Sequence, residues 1–327
     1  MTETAQATPA QPEPRLKHFP VPFFATVMGL MGLTLALHSA SSVYPAAEAA
    51  SDVMMWIGIV VFGIIAVFYI AKGLRYPQAV KAEWNNPVRL AFFPAISISL
   101  LLIATALTNT YIEAAKGVWI IATILQGVLT LAVVSGWISH RSFEVGHLTP
   151  AWFIPAVGNV IVPVAGARLG YMEISWLFFS TGMIFWVILL TLVFNRLIFH
   201  NPIPGKLFPT MVILIAPPTV AFVGYLNMVG EVDNFARFLI NVGYVFTALV
   251  VVQAPKISKL PFALPFWALS FPIASLTISS FLFARKVGSG AHEVIGTLSL
   301  IVLVLIMAAL VYRTILAIVR GEICVPE

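Results

Sequence analysis

The sequence predicts an all-α integral membrane protein with ten transmembrane helices paired as five helical hairpins. Three observations lead there. Of 327 residues, 60% are hydrophobic and 9% charged, whereas soluble domains carry roughly 25% charged residues. Ten apolar stretches, at approximately 21–39, 52–71, 88–108, 117–138, 151–167, 170–195, 207–226, 235–253, 263–284 and 293–319, are each about long enough to cross ~30 Å of hydrocarbon as a helix. Prolines, finally, cluster in the odd-numbered stretches.

The first stretch follows a polar, proline-containing segment. It lacks an Ala-x-Ala type cleavage pattern near its end, so it reads as a retained helix rather than a signal peptide. The expected organisation is a flexible cytoplasmic tail over 1–18, a transmembrane domain over 19–320 and a short cytoplasmic tail over 321–327. With the N-terminus inside, 13 of the 18 lysines and arginines fall on the inner side and 5 outside, namely Lys116, Arg168, Arg237, Arg285 and Lys286. This division predicts a multi-pass protein of a bacterial inner membrane with both termini cytoplasmic. The net charge of +5 is therefore mostly topology. Basic residues are scattered over short loops without the basic and aromatic run of a nucleic-acid groove, so no nucleic-acid partner is expected. Cys324 is the single cysteine and cannot pair within the chain.

The odd stretches share a pattern. Pro87 and Pro94 fall in the third, Pro150, Pro155 and Pro163 in the fifth, Pro209, Pro217 and Pro218 in the seventh, and Pro265 and Pro272 in the ninth. The first begins Phe19-Pro20-Val21-Pro22 and carries Gly29 and Gly32, and the even stretches have no interior proline. Taking Pro20, Pro87, Pro150, Pro209 and Pro261 as starting points, the spacings are 67, 63, 59 and 52 residues, five degenerate copies of one hairpin. Proline inside a membrane helix removes a hydrogen bond and bends it, which is tolerated beside other helices or a wet cavity. The odd helices, kinked at Pro94, Pro155, Pro217 and Pro272, are thus expected around a central axis. The aliphatic even helices are expected outside, against membrane lipid. General enrichment of proline and small residues in membrane helices is the competing explanation, but it does not account for the alternation.

No enzyme motif was found: there is no metal-ligand spacing, nucleophile elbow or phosphate-binding loop. His140 and His147 share a loop but lack further ligands, so neither a metal nor another cofactor is called for. All 13 carboxylates fall in tails, loops or helix ends, and the polar residues within helices, such as Gln126, Asn159 and Asn241, are neutral. This argues for a passive path rather than a proton relay. A path without buried carboxylates, lined by bent helices and with Arg89 near its inner mouth, suits small inorganic or organic anions; Arg89 as a plain topology determinant is the alternative. Phe271, immediately before Pro272, is the bulkiest candidate plug. Phe24 and Phe93 are lesser pore-lining candidates for which ordinary packing competes, and Ser270 and Ser275 are hydroxyl candidates.

Four stretches carry a family resemblance: Asn86-Pro87-Val88-Arg89, Pro150-Ala151-Trp152-Phe153-Ile154-Pro155-Ala156-Val157, Gly230-Glu231-Val232-Asp233 and Trp267-Ala268-Leu269-Ser270-Phe271-Pro272. In order and spacing, from about Phe19 to Gly321, the chain resembles the tellurite-resistance/dicarboxylate transporter family, which includes the slow anion channels of plant guard cells. The resemblance implies a homotrimer with one pore per protomer, five inner and five outer helices in quasi-fivefold arrangement, and a gating phenylalanine that aligns with Phe271. It also implies substrates among chloride, nitrate, malate or other C4-dicarboxylates, sulfite and tellurite.

Overall fold

The computed structural model describes residues 14–139 and 143–325. Residues 1–13 and 326–327, read above as tails, and His140 and Arg141, read as loop residues, lie outside the described residues. The rest is helical, with no strand among the described residues. In chain order the α-helices are α1 (Phe24–Ala40), α2 (Ala46–Arg75), α3 (Pro77–Trp84), α4 (Ala95–Leu107), α5 (Ile112–Ser139), α6 (Phe153–Gly166), α7 (Met172–Phe199), α8 (Ala216–Val229), α9 (Asn234–Ile257), α10 (Ser270–Val287) and α11 (Gly290–Val319).

Two kinds of helix alternate. The long ones, α2, α5, α7, α9 and α11, have 24 to 30 residues, about 36–45 Å at 1.5 Å per residue. The short ones, α1, α4, α6, α8 and α10, have 13 to 18 residues, each preceded directly or after one proline-containing step by a 3₁₀ segment. Those segments are Val21–Phe23, Arg89–Phe92, Pro150–Trp152, Gly205–Ile215 and Leu264–Leu269. Counting each short helix together with its 3₁₀ segment, nine spans among the described residues are long and apolar enough to cross a membrane, and a tenth apolar helix, Pro150–Gly166, is shorter. Burial separates the kinds sharply: 67–89% of the most apolar part of the short spans is buried, against 17–33% in the long ones. Exposed side chains such as Val67, Ile121, Leu131 and Leu305 give the long helices the apolar surface that lipid requires.

The four prolines expected to kink these spans stand at the starts of their α-helices. Pro94 is the N-cap of α4, Pro217 is at the start of α8, and Pro155 and Pro272 are each the third residue of their helices. All four stand where 3₁₀ gives way to α, a position at which a missing N–H breaks no α-helical bond. The exceptions among the short spans are Pro163 within α6 and Pro209 within the 3₁₀ segment before α8. The long helices are not wholly free of proline either, since Pro255 sits in the last turn of α9.

The short helices contact one another in sequence, α1 with α4, α4 with α6, α6 with α8 and α8 with α10, and α10 packs back on α1. Each long helix packs on the short one preceding it in the chain. Within lipid, close approach depends on small residues rather than on water exclusion. The α1–α10 seam shows it: a Cβ on Gly32 would stand 2.9 Å from Ala274 Cβ and 3.3 Å from Phe271 Cδ2, and one on Gly29 would stand 2.9 Å from Ser270 Cβ.

At the face carrying the termini, Glu83, the penultimate residue of α3 and so at a helix end as read, is buried. It accepts from Lys72 Nζ at 2.7 Å, Tyr69 Oη at 3.1 Å and the Val21 N–H at 3.2 Å, and Arg89 Nη1 stands 3.7 Å away. Lys72 Nζ also donates to the Phe19 carbonyl at 2.8 Å. The cluster thereby pins the start of the first span to α2 and α3.

Candidate functional site

Two cavities follow one another along the axis of the short helices. The larger, about 470 Å³, opens at the face opposite the termini. Leu35 and His38 of α1, Leu102 and Thr105 of α4, Ile161 and Val164 of α6, Val220 and Val223 of α8, and Ser275 and Ile278 of α10 line it. Each pair is three residues apart, the spacing that keeps side chains on one helix face. The smaller cavity, about 30 Å³, lies nearer the starts of the same helices and is lined by Ala25, Met28, Phe92, Ile154, Val157, Ile213 and Ala216, with the segment Trp267–Pro272 completing it. No residue of α2, α5, α7, α9 or α11 lines either cavity. Phe271 is common to both linings: its ring, 5% exposed, separates the wide vestibule from the small cavity.

Charge is concentrated at the vestibule mouth. Arg168, after α6, and Arg285 and Lys286, near the end of α10, all line it, and no carboxylate does. Arg168 Nη1 donates to Thr108 Oγ1 at 3.2 Å and Nη2 to Asn109 Oδ1 at 3.0 Å; Asn109 Nδ2 is 3.0 Å from His38 Nε2. Lys286 Nζ donates to the Gly230 carbonyl at 2.9 Å. Desolvation by the surrounding walls and, secondarily, the Arg285 charge lower the Arg168 pKa. A side cavity shared through Leu35, His38 and Asn109 is lined by Glu48 and Asp52.

Of the pore candidates singled out in the sequence, Phe271, Ser275 and Pro272 line these cavities, whereas Phe24, Phe93, Ser270 and Arg89 do not. Ser275 Oγ donates to the Pro272 carbonyl at 2.8 Å and pairs with Thr219 Oγ1 at 2.7 Å. Ser270 instead donates to the Trp267 carbonyl at 2.6 Å and packs on Gly29, so it serves the α1–α10 seam. Phe24 packs on Phe62 and Tyr69, and Phe93 on Tyr69 and Trp84, both toward the outer layer. Phe92, one residue earlier, reaches the axis because the 3₁₀ segment Arg89–Phe92 turns about 120° per residue rather than 100°. Arg89 lines neither cavity and stands beside Glu83. Gln126 and Asn159 are tied up between helices: Gln126 Nε2 donates to Thr130 Oγ1 and the Pro155 carbonyl, Gln126 Oε1 accepts from Ser97 Oγ, and Asn159 Nδ2 donates to the Pro155 carbonyl. Asn241, on the exposed side of α9, donates to the Arg237 carbonyl. Among the described residues no group of three or more His, Cys, Asp or Glu could hold a metal ion. The mouth cations were legible only as outer-side charges, since nothing in the linear sequence says that residues 168 and 285 meet.

A polytopic helical protein with cavities along the axis of its short helices and basic residues at the mouth of the larger one fits the class that moves anions across membranes. The profile of the family described as voltage-dependent anion channel matches residues 18–315. The chain belongs to that family of anion channels and transporters. It is 31% identical over 271 residues to the tellurite resistance protein TehA homolog of Haemophilus influenzae, covering 82% of each chain. It is 25% identical over 305 residues to an uncharacterized transporter of Methanocaldococcus jannaschii, covering 86% of this chain and 89% of that one. With the guard cell S-type anion channel SLAC1 of Arabidopsis thaliana it shares 23% identity over 301 residues, 88% of this chain and 54% of the plant protein.

Proposed function

We propose that the protein is a channel for small anions, chloride, nitrate or related oxyanions, with one path through each protomer of a homotrimer and Phe271 as its gate. The observation that carries this reading is that Phe271 is shared by two cavities lined by the same five spans, each a short helix with its 3₁₀ segment. The basic mouth and the absence of carboxylates from both linings favour anions over cations. Five similar hairpins around the axis, with the long helices against lipid, are the architecture this reading assumes. In the proposed orientation the termini are cytoplasmic, the membrane is a bacterial inner membrane, and the vestibule faces outward, in keeping with 13 of 18 basic residues on the terminal side. The tails, 1–18 and 321–327, then flank a channel domain over 19–320.

The test is electrical recording of the purified protein in lipid bilayers under a chloride gradient, with nitrate and malate then substituted. Phe271→Ala is expected to raise the anion current at least about tenfold, the factor that follows from lowering a barrier by roughly 1.4 kcal/mol. An unchanged current removes Phe271 from the gate role. A second reading, a coupled carrier for C4-dicarboxylates, sulfite or tellurite, takes support from the vestibule's being open at one face only and from the name of the Haemophilus influenzae relative. Saturable uptake with counterflow, in a protein electrically silent with or without Phe271, would establish that reading instead.

A further inference from the structure

We propose that the mouth of the vestibule contains an anion-binding site, separate from Phe271, in which Arg168, Arg285 and Lys286 hold a divalent oxyanion in preference to a halide. This deepens the anion reading of the path and rests on it for the ligand's sign of charge.

The argument begins with the accounting of hydrogen-bond donors. A guanidinium has five N–H donors and an ammonium three. Arg168 uses two of its own, on Thr108 and Asn109, and Lys286 uses one, on the Gly230 carbonyl. Among the described residues the Arg285 side chain has neither a hydrogen bond nor an ion-pair partner, and its charge acts unfavourably on that of Arg168. Three cations with donors to spare thus line one concavity whose lining has no carboxylate, Arg285 and Lys286 being exposed at its rim. Glu48 and Asp52 lie beyond His38 and Asn109 in the side cavity, where they temper the field without reaching the vestibule lining.

Tethering adds to this. The Arg168 head is held by two side-chain acceptors, one of them itself paired with His38, so part of the ordering cost of binding has already been met. Two guanidinium forks suit a planar or tetrahedral oxyanion, whose separate oxygens can each accept, better than a spherical halide. A second negative charge on the ligand roughly doubles its Coulombic attraction to the mouth. The vestibule, at about 470 Å³, has room for sulfate or for a C4-dicarboxylate with its water.

Calorimetric titration of the detergent-purified full chain at fixed ionic strength tests the site, with sulfate, succinate and chloride as separate probes. Saturable binding of sulfate or succinate, one per protomer and at least about tenfold tighter than chloride, is expected from charge-assisted bonds of this kind. The sulfate and succinate arms distinguish an inorganic from an organic ligand. Arg285→Gln should weaken binding at least about tenfold, as should Arg168→Gln, while Lys116→Gln, on the same face outside the vestibule, should leave it unchanged. Among the described residues the Arg285 side chain makes no hydrogen bond, so its variant remains informative if the Arg168 variant misfolds. Equal heats from wild type and Arg285→Gln, or no saturable heat with either dianion, overturn the proposal and leave the cations to raise local anion concentration only. Since binding is read without current, a silent Phe271→Ala channel with intact sulfate binding defeats the channel reading alone. A conducting channel without binding defeats the site alone.

Discussion

Glu83 carries more of the structure than its place in the sequence announces. It is buried at 2% exposure with Lys72 at 1%, and its two oxygens receive an ammonium, a phenol and the first free N–H of the opening span. Removing one partner of a buried pair leaves the other charge uncompensated, at a cost of about 3–5 kcal/mol, whereas replacing both by apolar groups of similar volume is far milder. Glu83→Gln is therefore expected to lower the thermal midpoint in detergent strongly, and Lys72→Met with Glu83→Leu to recover much of the loss. A Glu83→Gln variant as stable as wild type would show that the pair is dispensable. The sequence could not show this pair, because Lys72 and Glu83 read as two separate inner-side charges until α3 folds back on α2. Phe271 was legible for the opposite reason: its proline neighbour marks a local change of helix type that needs no partner elsewhere to be seen.

Among the elements, α9 explains the Gly230-Glu231-Val232-Asp233 stretch in physical terms. Asp233 is its N-cap, accepting from the Ala236 N–H at 2.8 Å and from Tyr225 Oη at 2.5 Å. The Ala236 N–H, and after it the Tyr225 hydroxyl, hold the Asp233 carboxyl below the usual carboxylate range. A folded-state pKa that is depressed contributes stability above the unfolded pKa and loses it as pH falls through the folded value. Asp233→Ala should accordingly lower the thermal midpoint by a constant amount near neutrality, and the gap from wild type should narrow only below about pH 4. A gap that is absent at pH 7, or unchanged in acid, would contradict the capping role. That the spans fall into two alternating kinds was readable from proline positions, though as kinked against straight rather than as short against long. The junctions themselves were not, since an 11-residue 3₁₀ stretch such as Gly205–Ile215 has no distinct signature in residue type.

For the molecule as a whole, the two cavities imply unequal access from the vestibule face. With Cys324 replaced by Ser, a cysteine at Val223 should react with a membrane-impermeant thiol reagent applied from that face, and one at Val157 should be protected. Phe271→Ala should expose the Val157 position, with labelling rising by about an order of magnitude if the ring is the barrier. Protection that persists would place the obstruction elsewhere. The basic mouth is a property of this scale too: its residues come from segments more than 100 positions apart and meet only because the short helices surround one axis.

The contact of α10 with α1 also governs the order in which the protein can be made. Those helices stand at opposite ends of the chain, so their Gly29 and Gly32 seam is among the most non-local contacts in the structure and must await nearly complete synthesis. Until then the growing bundle has an open side, and α10 brings both the wall that fills it and the Phe271 ring proposed above as the gate. With Phe271 in that role, closure of the wall and closure of the bore are one assembly event, and no stage of biogenesis encloses a conduit before its stopper is in place.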